Sequence, residues 1–310
     1  MSALRLGVDI GGTKVHAVAL DDTGAVVAET RLPTGFGAEA VVASAHAAVV
    51  QLTERLGVDS RDLDSIGVGV PGRVDPETGH VAHAVNLGLE SLDLGILLGA
   101  RLGRAVVVEN DVNAAALGAF HLLGDPRRRS MAYLNLGTGL AAGLVLDGRV
   151  WRGARGVAGE IGHISVDPQG ELCRCGQRGC LETLASGSAL ARLWPQGAGA
   201  PASALFAAAE GGDADAAAVA ARLVGNVAAA VRILVLTVDV DAVVIGGGLS
   251  SLGDRLLGQV RARLDADART SPFLASLALA ERVLLVPAGS PVGAVGAALV
   301  GRPAAAAVGA

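Results

Sequence analysis

Short apolar runs broken by glycine turns alternate along this chain with longer stretches in which alanine, valine and leucine recur at helical spacing. The first run, Leu4-Arg5-Leu6-Gly7-Val8-Asp9, leads through Gly11-Gly12-Thr13-Lys14 into a second strand over 15–20. A turn at Asp21-Asp22-Thr23-Gly24 and a third strand over 25–30 follow. The same order returns later: a strand over 131–135, the loop Gly137-Thr138-Gly139, a strand over 142–146, the turn Asp147-Gly148 and a strand over 149–151. Asp-Gly and Thr-Gly pairs between β-rich runs mark hairpins. Asp9 and Asn135 hold equivalent places in the two units, which predicts a duplicated domain whose glycine loops face one cleft.

Between and after these units the spacing predicts helices over 39–56, stopped by Gly57, and over 92–102, 112–122, 214–238 and 252–264, with a final helix from Val292. Strands are predicted at 65–70, ended by Pro71-Gly72, and at 105–109, 242–245 and 283–286. Strands alternating with helices predict an α/β protein with mixed sheets. The Ala/Gly/Pro-rich segment 195–212 reads as a surface excursion, and the tail after Pro303 as frayed.

Composition narrows the function classes. The 310 residues suffice for two domains. A net charge of -5, an aromatic content of 2% and no lysine or arginine stripe argue against a nucleic-acid surface. The one basic run, Arg127-Arg128-Arg129, reads as a solvated loop. The most apolar stretch, 227–249, is interrupted by Arg232, Asp239, Asp241 and three glycines, so it predicts a buried helix and a strand, not a span of about 20 apolar residues. With the first strand starting at once, no signal peptide and no membrane partner are expected, and the expected location is the cytoplasm.

The chemistry concentrates in a few places. The 3 cysteines, Cys173, Cys175 and Cys180, lie close together behind His163. Three thiols and one imidazole can close a tetrahedron around zinc and leave no open position for water, which makes the site structural. A disulfide with one spare thiol, or three small buried hydrophobes, are the competing readings. Asp9-Ile10-Gly11-Gly12-Thr13-Lys14 ends a strand with glycines that let backbone amides approach a phosphate, while Thr13 and Lys14 add a hydroxyl and a charge. The P-loop spacing is absent, and a strand rather than a helix follows, unlike a dinucleotide fingerprint. Gly137-Thr138-Gly139 offers a second such hairpin. Gly246-Gly247-Gly248 follows a buried strand, and could admit a flat ring against the backbone or only make a tight turn.

Glu109-Asn110-Asp111 stands at the C-terminal end of a strand, where α/β sheets carry working groups. Asp111 fits a general base for a hydroxyl nucleophile, with Asn110 holding a neighbouring hydroxyl; the cap of the next helix is the competing, lesser reading. Glu160 and Glu182 bracket the cysteines and suit the vicinal hydroxyls of a sugar.

Taken together, Asp9-Ile-Gly-Gly-Thr-Lys14, Gly69-Val-Pro-Gly72, Glu109-Asn-Asp111, Asn135-Leu-Gly-Thr-Gly139, Gly159-Glu-Ile-Gly-His163 and Cys173-Arg-Cys-Gly-Gln-Arg-Gly-Cys-Leu-Glu182 resemble the ROK family of sugar kinases and related repressors. The resemblance covers nearly the whole chain. It implies an actin-like ATPase (ribonuclease H-like) α/β fold. A small N-terminal lobe over 1–112 would be joined by the final helix, 291–303, and a larger lobe over 113–290 would carry the zinc loop 160–182. It implies ATP held by Asp9, Gly11, Gly12, Thr13, Lys14, Gly137, Thr138, Gly139, Gly246, Gly247 and Gly248, with Mg2+ near Asp9. A hexose would be contacted by Asn86, Asn110, Asp111, Glu160, His163 and Glu182, with Asp111 as the base. His163, Cys173, Cys175 and Cys180 would hold structural Zn2+. The expected activity is glucose phosphorylation to glucose 6-phosphate, in a homodimer or homotetramer. Kinases of N-acetylglucosamine or N-acetylmannosamine, a fructose kinase and a polyphosphate-using variant are the alternatives. A sugar-sensing repressor is a distant one, because no winged helix precedes Asp9. The chain departs from the family pattern at Ala141, where a glycine is frequent, at Asn86-Leu87-Gly88-Leu89, which lacks an aromatic, and at Ala119-Phe120, where an acidic residue is common.

Overall fold

The computed structural model describes residues 3–197 and 200–301; the tail expected to fray lies outside them. The chain divides into two compact units, Met1–Gly124 with Gly148–Gly156 and Pro291–Ala310, and Asp125–Asp147 with Val157–Ser290.

The first unit is built on β1 (Arg5–Ile10), β2 (Lys14–Leu20), β3 (Val26–Pro33), β4 (Ser65–Val70) and β8 (Val107–Asn110), in the order β3-β2-β1-β4-β8. The hairpin strands pair antiparallel, and β4 and β8 join in parallel. Strand alternation divides the side chains of β1. Leu6, Val8 and Ile10 pack with Val41, Val42, Val49 and Leu52 of α1 (Ala38–Leu56), each such side chain contributing about 1.5–3 kcal/mol when fully buried. Gly57 ends α1 at φ 67, as the sequence predicts.

Gly7 faces the last helix, α10 (Val292–Val300), so closely that a Cβ there would lie 2.0 Å from Ala294 O. At Gly67 the corresponding distance to Ala297 O is 1.9 Å. The alanines and glycines of α10 therefore serve backbone-to-backbone packing, and this final helix belongs to the first unit.

The same contact keeps α3 (Asp111–Leu123) in the first unit instead of opening a lobe at 113, because a Cβ on Gly118 would strike Val292 O at 1.9 Å. An additional sheet, β5 (Arg73–Asp75), β6 (His80–Ala84) and β7 (Leu89–Leu92), precedes α2 (Leu94–Leu102). The helix expected from residue 92 thus begins two residues later, after a strand that the apolar spacing hid.

The second unit holds β9 (Ser130–Leu136), β10 (Leu140–Leu146), β12 (Ala242–Gly246) and β13 (Val283–Leu285). The second sheet has the order β11-β10-β9-β12-β13, with β11 at Arg149–Val150, and repeats the pattern of the first: an antiparallel hairpin, then two parallel strands. This is the duplication read from the glycine loops.

Helices α4 (Glu182–Ala185), α5 (Gly187–Leu193), α6 (Pro201–Glu210), α7 (Ala214–Val238), α8 (Asp254–Arg269) and α9 (Pro272–Ser276) complete the unit. Among the described residues α7 is the one helix long and apolar enough to cross a membrane, but its Leu223, Val227, Val231 and Leu234 belong to the core with Leu134, Val243 and Ile245. The excursion expected over 195–212 is corrected: α6 occupies much of it and buries Leu205 and Phe206 completely. Its low-complexity composition concealed one core-facing pair.

Candidate active site and metal centre

In the first unit, Asp9 lies one residue before the end of β1 and Asp111 opens α3 after β8. Gly69 of β4 lies between them: a Cβ there would stand 3.6 Å from Asp111 Cα and 3.8 Å from Asp9 Oδ1. Gly293 closes the other side, since a Cβ on it would come within 2.5 Å of the Asp9 carboxylate. Burial, and next the negative charge of Asp111, push the Asp9 carboxyl up from 3.8 to about 7, against the opposing pull of Lys14.

Because the folded protein holds this proton more tightly than the unfolded chain does, Asp9 subtracts stability increasingly as pH rises from 3.8 to about 7. Asp9→Asn is therefore expected to stabilise the metal-free protein at pH 8 by up to about 2 kcal/mol. The gain should shrink as the pH is lowered toward 4. Paired denaturation curves at several pH values check this, and a pH-independent difference would contradict it.

The turn between β1 and β2 closes through Gly11 N to Lys14 O (2.9 Å). Gly12 borders Asn86, a Cβ on it lying 3.6 Å from Asn86 Cβ. A further loop, 34–37, joins both elements: Thr34 N donates to Thr13 O (3.1 Å) and Gly37 N to Leu87 O (2.8 Å). Its Phe36, 77% exposed, packs its ring over Gly88. An aromatic ring thus lies beside 86–89, from a loop that sequence reasoning does not single out.

The cap of α3 is Asn110, not Asp111. Asn110 is extended (φ -61, ψ 140), and its Oδ1 accepts from Val112 N (2.9 Å) and Asn113 N (3.2 Å). Its Nδ2 donates to Gly72 O (3.1 Å). Asp111 is the first helical residue, and its Oδ1 accepts from Val112 N (3.0 Å).

In the second unit, Asn135 lies one residue before the end of β9, and three glycine elements gather at its tip. A Cβ on Gly247 would fall 2.6 Å from Asn135 Oδ1 and 2.7 Å from Gly137 N. Gly187 N donates to Gly137 O (2.8 Å) and Ser188 N to Thr138 O (3.2 Å). Together Gly137, Thr138, Gly187, Ser188, Ala191 and Gly248 line a pocket of about 510 Å³. No motif in the sequence singles out Gly187 and Ser188, although Ser186 just before them is a cap signal and does accept from Ala189 N. Ala141 sits in regular β10 pairing opposite Asn135, so the missing glycine there does not disturb the hairpin.

The motif 159–163 lies flat on β10. Ala142 N donates to Gly159 O (2.8 Å), and Gly159 (φ 93) would place a Cβ 1.8 Å from Ala142 O. A Cβ on Gly162 would be 2.0 Å from Leu140 O. Gly162→Ala is therefore expected to cost about 1–3 kcal/mol by overpacking, and a thermal unfolding curve superposable on wild type would contradict this packing. Glu182 opens α4, and its Oε2 accepts from Leu140 N (3.1 Å), tying the end of the cysteine loop to the second glycine hairpin.

His163, Cys173, Cys175 and Cys180 come together, with ligand atoms all within 4.8 Å of one another. His163 Nδ1 lies 3.7 Å from Cys173 Sγ, and Cys175 Sγ lies 3.6 Å from Cys180 Sγ. A zinc tetrahedron with about 2.3 Å Zn–S bonds has S···S edges of about 3.8 Å, so this donor set fits the ion. The thiols are free, which removes the disulfide reading. Hydrogen bonds from Gln177 hold the Cys175 thiol down at about 6, whereas burial pushes Cys180 up to about 12.

The structure thus gathers Asp9, Gly11–Lys14, Asn86, Asn110 and Asp111 on the first unit. The second unit carries Gly137–Gly139, Glu160, His163, Glu182, Gly246–Gly248 and the cysteines.

The ROK family profile matches residues 5–302. A glucokinase of Streptomyces coelicolor is 36% identical over 277 residues, 83% of this chain and 86% of that protein. Among solved structures, a ROK hexokinase from Thermus thermophilus is 33% identical with a TM-score of 0.79, covering 96% of this chain and 97% of that one. A ROK family glucokinase from Streptomyces griseus, crystallised with glucose and AMPPNP, is 32% identical with a TM-score of 0.78, covering 96% and 99%.

Proposed function

The chain belongs to the ROK family, and from that premise we propose that it transfers the terminal phosphoryl group of ATP to the 6-hydroxyl of glucose. The observation that carries this reading is the pair Asp9 and Asp111 on either side of Gly69, two carboxylates of which one is pushed up to about 7.

In this reading Asp111 accepts the proton of the sugar hydroxyl. Seated at the start of α3, it is held by Val112 N, and orientation is most of what phosphoryl transfer asks of such a residue. The amide of Asn110, already anchored on Gly72 O, offers its second N–H to a neighbouring hydroxyl. Asn86, Glu160 and Glu182 Oε1 take further hydroxyls. His163 meets the cysteines through Nδ1, which leaves Nε2 for the sugar.

The backbone amides of Gly11, Gly12, Thr13, Gly137, Thr138 and Gly139, with Lys14, face the phosphates. The pocket of about 510 Å³ beside Gly246–Gly248 is of a size that takes an adenosine. A divalent cation such as Mg2+ fits beside Asp9, where its charge would offset the crowding of two carboxylates and neutralise phosphate oxygens. Zinc has a structural part only: a closed set of one His and three Cys holds the segment from Glu160 to Glu182. Reduced thiols of this kind fit a cytoplasmic location.

A coupled assay of glucose, mannose, fructose, N-acetylglucosamine and N-acetylmannosamine with ATP or polyphosphate tests the reading. Glucose with ATP is expected to have the highest kcat/KM. A higher value for an N-acetyl sugar or for polyphosphate would reassign the substrate.

A further inference from the structure

Glu109 stands between Asn110-Asp111 and an arginine from a distant part of the chain. It is 2% exposed at the end of β8, and all its hydrogen bonds are internal. Oε2 accepts from Arg152 Nε (2.7 Å) and from Arg152 Nη2. Oε1 accepts from Asn110 N (3.0 Å) and from Asn113 Nδ2 (3.0 Å). Arg152 belongs to the segment Gly148–Gly156, which the chain returns to the first unit before continuing toward Glu160.

We infer that Arg152 is a positioning residue for the Asn110-Asp111 pair, acting through Glu109; the inference rests on the reading of Asp111 as the base. The guanidinium fork puts two donors on one carboxylate oxygen and so fixes the rotation of the carboxyl group. With Oε2 pinned, Oε1 is aimed at the backbone N–H of Asn110 and at the side chain of Asn113. Those two donors frame the first turn of α3, on which Asp111 sits. Glu109 is too buried to be solvated if the arginine is lost, so its carboxyl group is left without its partner and turns toward other donors. That turn takes the acceptor away from Asn110 N–H and loosens the peptide that precedes the base. A misplacement of about 1 Å can cost about 10²-fold in rate. The pair is thus more than a salt bridge that steadies the fold, and kinetics separate the two roles.

Arg152→Ala is expected to lower kcat about 10–100-fold, with the KM for ATP changing little, in protein that remains folded by circular dichroism. Guanidinium or ethylguanidinium added at millimolar concentration should restore a measurable part of kcat, while an equal concentration of sodium chloride should not. Arg152→Lys should fall between, because one ammonium cannot supply both donors to Oε2. The double variant Glu109→Gln with Arg152→Gln keeps an acceptor for Asn110 N–H without a buried charge, and should exceed Arg152→Gln in kcat.

Wild-type kcat in folded Arg152→Ala would overturn the inference. So would a loss that tracks the unfolded fraction and answers to neither rescue. If Arg152→Ala does not fold, Arg152→Lys and the double variant decide the matter by the same comparison. A wild-type chain inactive on every hexose would remove the parent reading together with this one, whereas an active wild type with an indifferent Arg152 would remove this one alone.

Discussion

Asp111→Asn should lower kcat by about 10²–10⁴-fold, the usual loss when a general base is removed, while sugar affinity stays within a few-fold. The geometry makes this substitution unusually clean. The cap of α3 is Asn110, whose Oδ1 takes the N–H groups of Val112 and Asn113, so neutralising Asp111 leaves the helix entry intact. The interaction of the carboxylate with the positive end of the helix is worth about 0.3–1 kcal/mol. Removing the charge also relieves Asp9, one of whose upward shifts comes from Asp111. The variant should therefore melt close to wild type while turning over poorly. Near-normal kcat would mean that Asp111 only opens the helix. A collapse in stability with proportionate loss of activity would mean that it is structural.

The second large effect is expected from the cysteine cluster. Cys175 is the exposed thiol of the three, so Cys175→Ala removes a ligand with little change in core packing, unlike substitution of the buried Cys173 or Cys180. Wild type should carry about one zinc per chain and the variant essentially none, because a closed structural site tolerates no missing ligand well. The loop then loses the shared ion, one of the links between His163 at its start and Cys180 at its end. Leu181 N still reaches Ile164 O at 3.0 Å and Gln177 Nε2 still donates to His163 O (3.2 Å), but Cys173 and Gly176 are tied to the rest of the loop through a short turn, Gly176 N to Cys173 O (2.9 Å) and Cys173 N to Gln177 O (2.7 Å). Glu182 lies two residues beyond Cys180 and anchors Leu140 N, so disorder passes to the second glycine hairpin as well. Sugar kcat/KM should drop by at least about 10-fold, a scale familiar from perturbed metal-site surroundings. Elemental analysis with steady-state kinetics checks both parts. Full activity in zinc-free protein would break the link between the metal and the sugar rim.

Much of this architecture could be read from local signals. The two hairpin units, the stop at Gly57 and the cysteine set all rest on residues near one another in the chain, where spacing maps directly onto geometry. The readings that went astray depended on remote partners. Segment 195–212 is made of residues that suit a loop, and only the burial of Leu205 and Phe206 against a distant core shows that a helix was needed. The choice between Asn110 and Asp111 as cap could not be made from residue type, since both side chains cap well; the extended backbone of Asn110 decides it. Gly293 gave no sign of its role, because its partner, the Asp9 carboxylate, is at the other end of the chain. Arg152 and Glu109 are 43 residues apart, with no spacing rule to connect them. Phe36 reaches Gly88 from a different loop, a contact that no spacing in the sequence announces.

The most direct test of the account is transfer of the labelled γ-phosphoryl group from ATP to glucose by the zinc-replete chain, followed by identification of the product. The account predicts glucose 6-phosphate and ADP in equal amounts, with formation of both falling by about 10²–10⁴-fold in Asp111→Asn. ATP left intact in the presence of glucose, or label released only as free phosphate, would contradict it.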